Sequence, residues 1–142
     1  MDIINRPTRL YALLAAATLA IASTCAMAQD VKVNLTGAQE TPPVTTSATG
    51  SGTITIGADK LVSGSVKTTG IEGVAAHIHT GAVGQAGPPI IPLTKGADGS
   101  WTVKEGAKLT DEQYAAFKAG NLYVNVHSAA NKGGEIRGQL KP

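Results

Sequence analysis

Short runs of alternating apolar and polar residues recur along this chain, and their period of two predicts strands rather than helices. Val31-Lys32-Val33-Asn34-Leu35-Thr36 alternates without a break and predicts the first strand. Gly37 to Pro43 ends it, because the consecutive prolines Pro42 and Pro43 cannot donate to a ladder. Gly50 to Ile56 and Leu61 to Thr68 predict a hairpin about Gly57-Ala58-Asp59-Lys60. Gly70-Ile71-Glu72-Gly73 leads into Val74 to His79, and a Gly- and Pro-rich stretch from Thr80 to Pro89 follows. Such a loop either borders a site or merely joins two strands. Ile90 to Leu93 resumes extended structure, and Asp98-Gly99 marks a turn before Ser100 to Val103, whose Trp101 is expected in core or rim packing.

One segment breaks the pattern. Thr110 with Gln113 three residues on is a capping box, Leu109 and Tyr114 occupy staple positions, and Gly120 suits the helix end. Tyr114 and Phe117 share a face that should pack on the sheet. This short helix feeds the run Asn121 to His127, and after a turn at Ser128 to Gly134 the chain closes with Glu135 to Leu140. The phases of these last strands agree with that of Val74 to His79, so Val74, Ala76, Ile78, Leu122, Val124, Val126, Ile136 and Leu140 are expected in the core.

The opposite phases carry the candidate chemistry. His77 and His79 point to one side of their strand with Cα atoms about 7 Å apart, twice the rise per residue. The third histidine of the 142-residue chain, His127, shares the non-core phase of its own strand with Tyr123 and Asn125. If the two strands are neighbours, all three imidazoles converge. Histidines so placed are either solvated and hydrogen-bonded or act as ligands. Imidazole suits copper and zinc, and three ligands with an open fourth position match a catalytic-type metal site rather than a closed structural one. Glu135 and Arg137 share the polar phase of the closing strand, either as a pair that orients an imidazole from behind or as a surface ion pair.

Composition narrows the classes. Residues 1–28 read as a secretory signal peptide: Arg6 and Arg9 precede an apolar run from Leu10 to Ala22, too short to span a membrane, and Ala26-Met27-Ala28 suits cleavage after Ala28. Cys25, the single cysteine, falls within this segment. Lipid anchoring there is the alternative, disfavoured by Thr24 before it. The remaining residues 29–142 have no Cys or Met, so they offer neither a disulfide nor sulfur ligands. The formal charge of the whole chain is +2, which gives no case for nucleic acid or an anionic membrane. One domain fits this length. Few aromatics with many Gly, Thr and Val favour an all-β sandwich with one short helix. Gly133-Gly134 and Gly50-Ser51-Gly52 do not open a helix after a strand and are turn or bulge glycines. No serine sits in a nucleophile elbow, so a hydrolase is unsupported.

Several motifs together resemble one family. Leu35-Thr36-Gly37-Ala38-Gln39-Glu40-Thr41-Pro42-Pro43-Val44, Ala76-His77-Ile78-His79-Thr80-Gly81, Leu109-Thr110, Gly120-Asn121-Leu122-Tyr123-Val124-Asn125-Val126-His127 and Gly133-Gly134-Glu135-Ile136-Arg137-Gly138-Gln139-Leu140 are similar, in order, to the CHRD domain, named for its occurrence in chordin. The resemblance covers essentially all of residues 29–142. It implies a secreted or periplasmic Greek-key β-sandwich, superoxide dismutase-like or immunoglobulin-like in kind. The histidine pair on one strand also resembles the copper-binding strand of copper/zinc superoxide dismutase. Three histidines, however, fall short of both metal-ligand sets of that enzyme, and its disulfide cysteines are missing.

The sequence thus predicts a secreted or periplasmic, non-enzymatic CHRD domain with a copper or zinc site at His77, His79 and His127, and Glu135 and Arg137 behind it. Two alternatives remain open at this stage: a metal-free extracellular module that binds a protein or polysaccharide, and a superoxide dismutase-like redox enzyme.

Overall fold

The computed structural model describes residues 27–142. The expected signal peptide lies, except for Met27 and Ala28, outside the described residues. Eight strands and one helix follow in order: β1 (Gln29–Thr36), a 3-10 turn (Gly37–Gln39), β2 (Thr49–Ile56), β3 (Val62–Thr69), β4 (Gly73–Thr80), β5 (Pro89–Lys95), β6 (Ser100–Val103), α1 (Asp111–Lys118), β7 (Leu122–Ser128) and β8 (Ile136–Leu140). The all-β character and the one short helix of the described residues agree with the sequence.

The layout differs from the expected two-sheet sandwich. The strands form one closed antiparallel barrel in the order β1-β2-β3-β6-β5-β4-β7-β8. Alternation within each strand is the same for a sandwich and a barrel. What decides between them is whether the first and last strands pair, and here Thr36 of β1 meets Arg137 of β8. An eight-stranded barrel has an interior that side chains alone can fill. Val31, Val33, Leu35, Ile54, Val66, Ile78, Leu122, Val124, Val126 and Leu140 fill it here, each at most 3% exposed. Gly138 of β8 has no room for a side chain, since a Cβ there would run into Val33 and the backbone of Asn34.

Val74 is a second correction. Expected in the core, it is 62% exposed. The β4–β7 register shifts between Gly73 and Ala75, which takes Val74 out of the alternation. The barrel end it would have filled is occupied by the Trp101 indole, packed so closely under Gly73 that a Cβ there would lie 2.7 Å from the ring. The other seven residues of the expected core set are buried, at 0 to 1% exposure.

Helix α1 forms as its ends direct. The Thr110 hydroxyl accepts from the Gln113 backbone N–H at 3.2 Å, and the Gln113 side chain accepts from the Thr110 N–H at 2.9 Å. Gly120 takes φ +74° at the far end, a conformation that costs a glycine nothing. Phe117 and Leu109 are buried against the barrel, and Tyr114 packs partly on it. The helix thereby delivers β7 alongside β4.

Candidate metal centre

β4 and β7 are antiparallel neighbours, and their register sets the chemistry. Ala75 pairs with His127, His77 with Asn125 and His79 with Tyr123. Residues directly opposite project from the same face of a sheet. The inward face of both strands is aliphatic, so His77, His79, Tyr123, Asn125 and His127 all stand on the outside of the barrel wall. One ring nitrogen from each of the three histidines lies within 4.8 Å of the other two. Ring centroids are 5.0 Å apart for His77 and His127, 5.5 Å for His77 and His79, and 5.8 Å for His79 and His127.

Hydrogen bonds fix which nitrogens are free. Nδ1 of His79 is 2.8 Å from the Gly87 carbonyl, and Nδ1 of His127 is 2.8 Å from the Lys132 carbonyl. A carbonyl only accepts, so each Nδ1 carries the proton and each Nε2 of the neutral ring carries a lone pair. Nε2 of His79 is buried with no hydrogen-bond partner among the described residues. Nε2 of His127 accepts from Nδ1 of His77 at 3.1 Å. A metal ion seated among the rings would replace that one proton, which His77 can carry on its other nitrogen. Metal–nitrogen bonds of about 2.0 Å hold ligand nitrogens some 3 to 4 Å apart. The His77–His127 pair already meets this, and the widest separation, 4.8 Å, closes with a shift of about 1 Å.

Two of the rings are held toward the neutral form. Burial pushes the His79 imidazolium below the ordinary histidine range. Its bond to Gly87 opposes this, while charge on His127, His77 and Arg137 adds to it. His77 is lowered in the same way, first by burial and then by His127. Neutral imidazole is the metal-ligating form.

The outer face of this wall is not solvated as its polar sequence suggests. Tyr123, Asn125 and Arg137 are 3%, 1% and 2% exposed. Two segments cover them. The loop from Gly81 to Pro88 is pinned by the Arg137 guanidinium, which donates to Ala82 O and Gln85 O at 2.8 Å each. From the other side comes the segment after β1, whose Glu40 carboxylate is buried beside Asn125 and Gly134. A Cβ on Gly134, whose φ is +128°, would strike the Glu40 carboxylate. Burial pushes the Glu40 carboxyl up to about 6, against the pull of Arg137 and of hydrogen bonds from Asn125 and the Thr41 backbone. Glu40 Oε1 and Asn125 Oδ1 are buried with no hydrogen-bond partner among the described residues.

Of the two residues expected behind the histidines, neither hydrogen-bonds an imidazole. The Glu135 carboxylate accepts from Thr46 at 2.7 Å and Asn131 at 3.3 Å. Arg137 instead lies 3.5 Å above the Tyr123 ring centroid, and Tyr123 stacks on His79 at 4.9 Å and 13°. Sequence reasoning missed the carbonyls of Gly87 and Lys132, the Tyr123 stack and the buried Glu40. The Gly- and Pro-rich loop was the signal for the first, because it borders the site as well as joining two strands. Nothing in the pattern around Glu40 marks it as buried.

Among the described residues no helix is long and apolar enough to cross a membrane. Comparison with curated proteins and with solved structures returns no match. A family model described as the CHRD domain matches residues 31–140, from the second residue pair of β1 to the end of β8, and takes in all three histidines. The match spans most of the chain, and the chain therefore belongs to the CHRD domain family.

Proposed function

We propose that this chain is an extracytoplasmic CHRD domain that holds one Cu(II) or Zn(II) ion through Nδ1 of His77, Nε2 of His79 and Nε2 of His127, in a binding rather than an enzymatic role. The observation that carries this reading is the buried Nε2 of His79, without a hydrogen-bond partner among the described residues, on a ring whose centroid lies 5.5 Å from that of His77 and 5.8 Å from that of His127. A buried ring nitrogen without a partner costs about 1–3 kcal/mol, and a bound cation removes that cost. The backbone carbonyls behind His79 and His127 support the same reading, since metal-bound imidazoles characteristically donate their other N–H to such a group. Copper would bind the tighter of the two by the Irving–Williams order, and the lack of Cys and Met in residues 29–142 disfavours Cu(I).

Residues 1–28 serve in this proposal as a signal peptide cleaved after Ala28, which delivers residues 29–142 to the periplasm or the extracellular medium. A second reading is a metal-free module that binds a protein or polysaccharide. The groove between Gln39, Glu40 and Pro43 on one side and Val83 and Gly84 on the other favours it, with Val83 68% exposed at the loop tip. Isothermal titration of residues 29–142 with Cu(II) and Zn(II) tests the first reading against the second. One-to-one binding that is lost in His79→Ala supports the metal site, and equally weak binding by both proteins overturns it.

A further inference from the structure

His79 supplies the most buried of the three rings, and its surroundings trace back to one cation. Its Nδ1–H is held by Gly87 O, and one ring face lies on Tyr123. Gly87 is itself tied to Tyr123, whose hydroxyl accepts from the Gly87 N–H at 3.1 Å. The opposite face of Tyr123 carries the Arg137 guanidinium. That guanidinium donates to Gln85 O through Nη1, and through Nη2 to Ala82 O and, at 2.9 Å, to Gln139 Oε1. Gln139 in turn donates to Gly81 O at 2.8 Å and Gly120 O at 2.9 Å. Gly81, Ala82, Gln85 and Gly87 are all held by this small set of side chains.

We propose that Arg137, acting through Tyr123 and the Gly81–Pro88 loop, is the positioning residue that fixes the tautomer and direction of His79 in the metal site. The proposal rests on the metal reading above for its purpose, and on the hydrogen bonds and stacking for its mechanism. A loop rich in Gly and Pro has little ladder of its own, so its inward carbonyls must be satisfied from the barrel wall. A planar guanidinium can satisfy three acceptors in its plane while stacking on an aromatic face. A lysine ammonium is compact and cannot do both. With the loop held, Gly87 O stays where it keeps the proton on Nδ1 of His79 and leaves Nε2 as the lone pair. With the loop loose, the ring is free to take either tautomer and to turn.

The test compares the wild type, Arg137→Lys and, as a control of lowered stability, Ile56→Val, a buried position on β2, which pairs with neither β4 nor β7. Long-range 15N–1H NMR of the metal-free proteins reads the His79 tautomer, and titration with zinc chloride reads affinity. Wild type and Ile56→Val should show His79 protonated at Nδ1 alone. Arg137→Lys should show mixed tautomers and zinc binding weaker by about 10- to 100-fold, the range for partners behind metal ligands. If Arg137→Lys keeps both the single tautomer and the wild-type affinity, the proposal is overturned, whatever its effect on melting temperature. Should Arg137→Lys fail to fold, Tyr123→Leu, which removes the ring between guanidinium and imidazole, carries the same two readouts with the same deciding results. If the wild type binds no zinc, the metal reading fails, and the tautomer comparison alone still decides the role of Arg137.

Discussion

Nδ1 of His77 and Nε2 of His127 are 3.1 Å apart and share one proton between two strands. A bound metal ion would take the place of that proton, and under the proposed function the rings would then serve as ligands rather than as each other's partners. His79→Ala leaves only this pair and should lower Cu(II) affinity severely. In contrast, Glu135→Ala should change affinity by less than about 10-fold, the lower edge of what partners behind metal ligands contribute, because its carboxylate is engaged with Thr46 and Asn131. Competition titration against a chelator of known affinity checks both variants.

Metal binding should also stabilise the fold by mass action. At free zinc about 100 times the dissociation constant, the gain is about 2.7 kcal/mol for one site with no affinity for the unfolded chain. Differential scanning calorimetry with and without zinc should show a raised melting temperature for the wild type and none for His79→Ala.

The pH range of binding follows from the lowered basicity of His77 and His79. Burial holds His77 and His79 below the ordinary histidine value of 6.5, so protons compete with metal only under more acidic conditions than for free imidazole. Affinity should hold from pH 8 to 6.5 and decline below that. For the metal-free fold the sign is the same. A depressed histidine pKa means that the unfolded chain takes up protons first, so the contribution present above 6.5 is lost as pH falls toward the folded value. Cu(II) titrations at several pH values check the first statement, and urea midpoints without metal check the second.

Glu40 acts in the opposite direction. Its folded pKa of about 6 stands above the ordinary 4.5. Stability from this group is therefore full below pH 4.5 and is lost as pH rises through 6, by about 2 kcal/mol at 1.36 kcal/mol per unit. Glu40→Gln removes the ionisation and should be more stable than the wild type at pH 8 by about 1–2 kcal/mol. It should show no such gain at pH 4.5. Chemical denaturation at the two pH values measures the difference, and a loss at pH 8 would mean that attraction to Arg137 outweighs burial.

Core and surface substitutions separate cleanly on this barrel. Val124 is fully buried at the centre of β7, and Val124→Ala should cost about 1–3 kcal/mol through lost burial and the cavity left behind. Val74→Thr, at an exposed position of the same barrel wall, should stay within about 0.5 kcal/mol. Denaturant midpoints of the two variants give the comparison.

Much of this architecture is legible along the chain, for identifiable reasons. The alternation at Leu122, Val124 and Val126 reads correctly because it reports an aliphatic interior, and Thr110 with Gln113 reads correctly because a capping box is a local arrangement. The shared outer phase of His77, His79 and His127 is legible for the same reason. Barrel closure at Thr36 and Arg137 is not, because it depends on the meeting of residues a hundred positions apart. Val74 fails because a register shift and the distant Trp101 override its phase. Glu40, Asn125 and Arg137 fail more instructively. Polar residues on an outer phase normally face water, and here two covering segments make that face a second interior, with hydrogen bonds and an aromatic stack where the first has methyl groups.

The barrel closes through a single register pair between β1 and β8, Thr36 with Arg137, whereas β1 and β2 are paired along their whole length. In a native-state amide-exchange experiment such a seam is where a barrel breathes first, in a sub-global opening well below the free energy of complete unfolding. Because Arg137 belongs to that seam and also grips the Gly81–Pro88 loop, a breath at β1–β8 slackens the loop as well. The β8 amides that face β1 and those of Gly81 to Gly87 should then exchange as one cooperative unit, ahead of the amides shared by β4 and β7 and by β7 and β8.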